Sequence, residues 1–328
     1  RGVMTYQWTV ATNNGASASD WKYFNSPQDG ARVTKGWFKV VAPDDDNDNT
    51  FLEYGESFAK SDAEDETEKW YYANGDGNLA TGEIKKINGK YYGFRPEGDG
   101  HTSAMLSGLV LLRTEGTKIL EVVDDGVDGD ELSDILDGTT EVADDATLFY
   151  FGDADSDGSM KTGATTVTVD GDSYNFLFSK SGGAESKGRG MTGIDDNKYI
   201  YKYGCRIKAG SDDKYKVVKV TGDDGLDIGA DGVVVEKISS SELRKAAEDT
   251  FKNDDDETVR YNKLGGNHYY LVNTSGAIQK AKTAAKDGDD WYFYVEDREV
   301  VLYTNNKNLD DVATDGVKEN WEDWAGLK

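Results

Sequence analysis

The chain has 328 residues, with 63 Asp and Glu against 37 Lys and Arg, a formal net charge of −26. That charge argues against nucleic acid and anionic membrane surfaces as partners, and leaves a neutral glycan or a cationic group on a polymer as acceptable ones. One cysteine, Cys205, permits no intrachain disulfide, and no run of about eighteen apolar residues exists to form a transmembrane helix.

Along the chain a short phrase of aromatics, turn residues and glycine recurs. Trp21-Lys22-Tyr23-Phe24 leads to Asp29-Gly30 and then Thr34-Lys35-Gly36-Trp37. An acidic stretch, Asp44 to Asn49, reads as a solvated loop. Trp70-Tyr71-Tyr72 leads to Asn74-Gly75-Asp76-Gly77-Asn78-Leu79-Ala80-Thr81-Gly82, and Tyr91-Tyr92 to Gly98-Asp99-Gly100 and Met105-Leu106-Ser107-Gly108. Residues 113–145 interrupt the period. There Lys118–Val123 reads as a strand, and 130–137 as a short helix stopped at Gly138. Phe149-Tyr150-Phe151 resumes the pattern and leads to Asp157-Gly158-Ser159-Met160-Lys161-Thr162-Gly163, with weaker copies at 174–193 and 199–210.

A second interruption covers 211–262. Tyr215–Val220 and Val233–Val235 are strand-like. Ser239 and Glu242 have capping-box spacing before Leu243, Ala246, Ala247 and Phe251, which predicts a helix over 239–251. His268-Tyr269-Tyr270-Leu271 opens another copy, which runs to Asn273-Thr274-Ser275-Gly276-Ala277-Ile278. A weaker copy lies at 291–303, and Trp321 and Trp324 mark a last helical turn.

Each copy has the form of one β-hairpin. Alternation places the aromatics on one face of a strand, and Asn, Asp and Gly supply the positive φ of a tight turn. A lone hairpin is marginal in water, whereas stacked hairpins share a continuous core. The expected fold is all-β: a β-hairpin repeat solenoid with two small strand-helix insertions. It divides as N-terminal hairpins 1–112, insertion 113–145, hairpins 146–210, insertion with a short helix 211–262, and C-terminal repeats and tail 263–328.

The phrase resembles the cell-wall-binding repeats of Gram-positive surface proteins, the choline-binding and glucan-binding modules related to clostridial toxin repeat domains. The stretch that carries this best is KWYYANGDGNLATGEIKKINGKYYGF, residues 69–94. The resemblance implies a non-catalytic, secreted or wall-associated protein that binds cell-wall or extracellular polysaccharide, or a choline-like group, through exposed rings. The N-terminal Arg1-Gly2-Val3 reads as a processed or truncated start. In the family, the Trp after the second glycine closes the choline cage. Here Gly36-Trp37 keeps that pair, while the equivalent places read Gly82-Glu83, Gly108-Leu109 and Gly163-Ala164. The alternative is a surface adhesin or structural protein whose degenerate repeats are a scaffold for a protein partner.

The ligand-binding candidates are therefore Trp21, Trp37 and Trp70, with Tyr23 and Tyr72 lining the same groove, because a quaternary ammonium needs several ring faces around it. No catalytic residue, metal site or cofactor is indicated. Asp153-Ala154-Asp155-Ser156-Asp157-Gly158 matches half of a calcium loop, but Ala164 stands where the loop needs a bidentate Glu. The two histidines, His101 and His268, lack zinc-ligand spacing; His268 takes a repeat Trp position and reads as a stacked core or surface ring.

Overall fold

The structure, a computed structural model, describes residues 8–10, 21–24, 31–42, 68–180, 186–247, 249–252, 255–287 and 289–307. The acidic stretch at 44–49 and Trp321 and Trp324 lie outside them. Among the described residues the fold is all-β apart from two short helices, and the chain divides into two compact units. The first comprises Arg1–Gly129, Val142–Asp170 and Phe178–Arg189; the second comprises Asp130–Glu141, Gly171–Leu177 and Gly190–Lys328.

In the first unit β1 (Trp8–Val10) pairs with β2 (Trp21–Tyr23), and β3 (Gly36–Val40) with β4 (Lys69–Ala73), both antiparallel. Strands β5 (Glu83–Ile87), β6 (Lys90–Phe94), β7 (Leu109–Glu115), β8 (Lys118–Asp124) and β9 (Ala146–Tyr150) form one antiparallel sheet in the order β6-β5-β8-β7-β9. The strand expected at 118–123 thus extends a sheet that repeat hairpins begin. Buried Leu106, Val110, Leu112, Phe149 and Phe151 fill the space beneath it. β10 (Gly163–Val169) follows.

In the second unit, helix α1 (Gly129–Asp137) opens with Asp130 and Glu131, whose charge suits the positive end of the helix dipole. Leu132, Ile135 and Leu136 are buried at the i, i+3, i+4 spacing of one apolar face. Gly138, at φ +78°, ends the helix, and the Thr139 N–H returns to the Asp134 carbonyl. Strands β11 (Asp172–Phe178), β12 (Gly193–Asp195), β13 (Tyr199–Lys202) and β14 (Cys205–Arg206) lie in the order β11-β14-β13-β12.

The larger sheet uses β15 (Tyr215–Thr221), β16 (Val234–Ile238), β17 (Asp249–Lys252), β18 (Thr258–Lys263), β19 (Tyr269–Asn273), β20 (Lys282–Lys286), β21 (Tyr292–Glu296) and β22 (Glu299–Thr304). Its order is β16-β15-β19-β22-β18-β17, with β21 joining β20 to β22. Its core gathers Val217, Leu271, Trp291, Phe293 and Tyr303. Helix α2 (Ser240–Lys245) carries the capping box: the Ser239 side chain accepts from the Glu242 N–H, and the Glu242 carboxylate accepts from the Ser239 N–H. The helix is shorter than the sequence predicts. It stops at Ala246, and Phe251 lies on β17, where backbone pairing with β18 takes over. Among the described residues no helix is long and apolar enough to cross a membrane.

One turn recurs in three places. Asn74 Oδ1 accepts from the N–H groups of Asp76 and Asn78, both at 2.9 Å. Asn273 Oδ1 accepts from Ser275 and Ala277, both at 3.0 Å. Asp287 Oδ1 accepts from Asp289 at 3.0 Å and Trp291 at 3.2 Å. In each, the N–H of the first residue donates to the carbonyl of the fifth. The fourth residue, Gly77, Gly276 or Asp290, sits at φ +76°, +80° or +58°. An Asn or Asp that mimics backbone, followed three residues later by one tolerant of left-handed φ, closes the hairpin.

Candidate functional site

The site follows from the two faces of the β3–β4 pair. Residues directly opposite in an antiparallel pair share a face, and neighbours along a strand alternate. Trp37 stands opposite Tyr72 and Lys39 opposite Trp70, so these four side chains share one face; Phe38 opposite Tyr71 belongs to the other.

The Phe38 face is core. Tyr71 and Trp8 are buried with Trp21, whose exposure is 6%. Trp8 meets Trp21 edge-on at 6.3 Å and Tyr71 at 4.9 Å, and its indole N–H donates to the Val41 carbonyl at 2.8 Å. Tyr23 stacks on Phe38 at 5.4 Å and 11°. Two of the five rings expected to line one groove, Trp21 and Tyr23, are thus placed across the hairpin from the other three.

Trp37, Trp70 and Tyr72 come together. Trp37 is edge-on to Trp70 at 6.5 Å and to Tyr72 at 5.2 Å. β6 adds two rings that the sequence did not single out. Tyr92 meets Trp37 edge-on at 4.7 Å, and buried Phe94 lies under it at 5.7 Å and 29°. Alternation along Tyr91-Tyr92-Gly93-Phe94 carried that signal: Tyr92 and Phe94 share a side, and Tyr91 packs into the neighbouring cluster. Trp37, Trp70, Tyr72 and Tyr92 are all half-buried, and their apolar floor is Ala80, Ile87, Phe94 and Met105.

A charge already lies on this patch. Lys39 Nζ is 5.9 Å from the Trp70 ring centroid and 2.7 Å from Asp155 Oδ1. The hydrogen bond from Lys39 holds the Asp155 carboxyl below its ordinary pKa, and the same bond raises Lys39, so both remain ionised around neutral pH. A π face attracts a cation through the ring quadrupole, and flat rings equally accept the C–H face of a sugar.

The other candidates resolve locally. In the calcium-like loop Asp155 faces Lys39, while Asp157 meets Lys161 at 2.9 Å and Lys90 at 3.2 Å. Asp153 Oδ1 accepts from the Asp155 N–H. Among the described residues no three His, Cys, Asp or Glu side chains converge as a metal site would require. His268 is an exposed ring at φ +57°, with Nδ1 2.9 Å from Glu299 Oε1.

No protein-family profile matches the chain, and none of the curated proteins matches it. Among solved structures the chain is similar to the choline-binding protein CbpF in complex with ipratropium, at 14% identity over 90% of this chain and 86% of that one, with a TM-score of 0.33. It is similar to choline-binding protein F from Streptococcus pneumoniae in the presence of a peptidoglycan analogue, at 16% identity over 91% and 85%, with a TM-score of 0.23. It is also similar to the Cpl-1 endolysin complexed with a peptidoglycan analogue, at 16% identity, covering 62% of this chain and 39% of that one, with a TM-score of 0.21.

Proposed function

We propose that this chain is a non-catalytic binding protein that holds cell-wall or extracellular polysaccharide, or a choline-like group carried on it, on the rings of Trp37, Trp70, Tyr72 and Tyr92. The observation that supports this reading most is the division of the β3–β4 pair: one face is sealed into the core, and the other leaves four half-buried rings at the surface with an ammonium beside Trp70. In this reading Trp21 and Tyr23 support the patch from behind. The protein works outside the cell or on the wall, and weak sites in series gain by multivalency.

The surface-adhesin reading draws on a separate observation. Gly82, Gly108 and Gly163 are followed by Glu83, Leu109 and Ala164, so the Gly-Trp element of this patch is not repeated there. In that reading the degenerate repeats are the scaffold and the insertions bind a protein partner.

The test is sedimentation with purified Gram-positive walls, with and without free choline, for wild type and Trp37→Ala. A cation over a ring face gains about 0.5 to 2 kcal/mol, so the variant should bind severalfold more weakly while keeping its circular dichroism. Unchanged binding by Trp37→Ala would remove this patch from the mechanism. Absence of wall binding by wild type would leave the adhesin reading. Release of soluble wall fragments by the purified chain, abolished by changing one carboxylate, would overturn the non-catalytic assignment.

A further inference from the structure

The second unit contains a local exception to the acidity of the chain. A cavity of about 180 Å³ lies among α1, β11, β14 and β16. Its charged lining is entirely basic: Arg206, Lys208 and Lys237, with Tyr174, Ser133 and the buried Cys205 between them. In a chain with 63 carboxylate side chains against 37 cations, basic residues are expected to find acidic partners. Two of these three do not. Among the described residues no carboxylate pairs with Arg206 or Lys208. Arg206 donates to the Tyr201 hydroxyl at 3.0 Å and lies 3.7 Å over the Tyr199 ring, while Lys208 lies 5.5 Å from the Tyr174 centroid.

Further charge stands close by. Lys237 pairs with Asp137, at the end of α1. Lys202 donates to the Leu136 carbonyl at 3.0 Å, and burial together with the charge of Lys237 holds it below its ordinary pKa. Lys208, Lys237 and Arg206 line the same cavity as the Cys205 thiol. The thiol itself is pushed up to about 12 by burial, so it stays neutral and cancels none of that charge. The acids nearby include Asp137, already paired, Glu236, which acts on Lys202, and Asp213, whose carboxylate lies beside Gly210 at the rim.

We propose that this cavity binds a phosphate group. Lys208 offers a mobile point charge, and Arg206, whose Nε and Nη2 donate to the Tyr201 hydroxyl, offers its charge and its remaining Nη1; the Ser133 hydroxyl donates to Asp137. A phosphate group beside Arg206 and Lys208, which no carboxylate among the described residues pairs, offsets their repulsion for each other and for Lys237. The group could come free as inorganic phosphate or be carried as the phosphodiester of a polymer, and the two are separated by experiment. The overall charge of −26 repels a polyanion at long range, so the contact is short-ranged and confined to this cavity.

The experiment is titration of the purified chain at fixed ionic strength, by calorimetry and by amide chemical shifts, with inorganic phosphate and separately with a synthetic poly(glycerol phosphate). Saturable binding that moves the amides of Ala209 and Gly210 is the expected result. Saturation by inorganic phosphate assigns a free group, and saturation by the polymer alone assigns the phosphodiester. Lys208→Gln, at an exposed position, should keep the fold and weaken binding about tenfold, as expected for loss of a hydrogen bond to a charged group. Arg206→Lys, which keeps the charge but not the guanidinium, should weaken it less than Arg206→Gln. Trp37→Ala should bind phosphate as wild type does, which separates this inference from the wall-binding reading. Absence of saturable binding by both probes, or equal affinity in wild type and Lys208→Gln, would overturn it.

Discussion

Replacing Asn273 by alanine tests whether the recurring turn is held by one side-chain oxygen. Asn273 Oδ1 accepts three hydrogen bonds, from the Ser275 N–H at 3.0 Å, the Ser275 hydroxyl at 2.8 Å and the Ala277 N–H at 3.0 Å. The backbone bonds of Asn273, to the Ala277 carbonyl and from the Gly276 N–H, survive any substitution. Ser275 is exposed, so water replaces its two bonds at little cost; Ala277 is half-buried and loses more. With a net contribution of about 0.5 to 1.5 kcal/mol per bond, Asn273→Ala should destabilise by about 1 to 2 kcal/mol. That corresponds to a melting temperature lower by roughly 2 to 8 °C in a domain of this size. Asn273→Asp should cost under about 0.5 kcal/mol, because Asp287 already fills the same position with a carboxylate. The assay is thermal melting with amide hydrogen exchange read at Ser275, Gly276 and Ala277, where local opening shows even if other hairpins hold. Equal melting and exchange in wild type and Asn273→Ala, or equal damage from Asp and Ala, would refute the reasoning.

Trp21→Ala should cost about 3 to 5 kcal/mol, because it empties a core position against Trp8, and denaturant unfolding of the first unit will show it. Burial pushes the Tyr270 and Tyr294 hydroxyls from their ordinary 10.0 up to about 12. A raised folded-state value means that unfolded tyrosine loses its proton first. The stability these groups contribute is therefore full below pH 10 and is lost as pH rises toward 12. Phenolate absorbance should show a late-titrating class that disappears in denaturant, and Tyr294→Phe should flatten the alkaline loss. Chelation should leave the melting curve unchanged, because Asp155 and Asp157 face Lys39, Lys90 and Lys161; a drop reversed by calcium alone would contradict this.

What the sequence made legible was local. Alternating rings at 70–72 and 91–94 located β4 and β6, Gly138 stopped α1, and Ser239 with Glu242 capped α2. Each of those signals lies within a few residues of its effect. The helix expected to reach Phe251 gave way because that segment pairs in a hairpin with β18, which the distant strand β22 holds in the sheet. The site was legible only in part for the same reason. That Trp37 faces Trp70 depends on the register of β3 against β4, and Lys39 meets Asp155 across 116 residues. Trp21 and Tyr23 alternate along one strand, as their spacing implies, but which face of β3–β4 they cover is decided by strand pairing, which that spacing does not encode.

The separation of tryptophans by the β3–β4 pair has an optical consequence. Trp8 and Trp21 sit in a dry, crowded interior, and Trp37 and Trp70 sit half in water. The first pair should emit to the blue and respond to unfolding, and the second should emit to the red and be reached by small quenchers such as iodide or acrylamide. Trp291, stacked on Tyr303 at 4.8 Å, gives the second unit a reporter of its own. The chain thus carries built-in fluorophores for occupancy of one patch and for integrity of two cores, and selective quenching would distinguish a ligand that settles on the rings from one that merely tightens the fold.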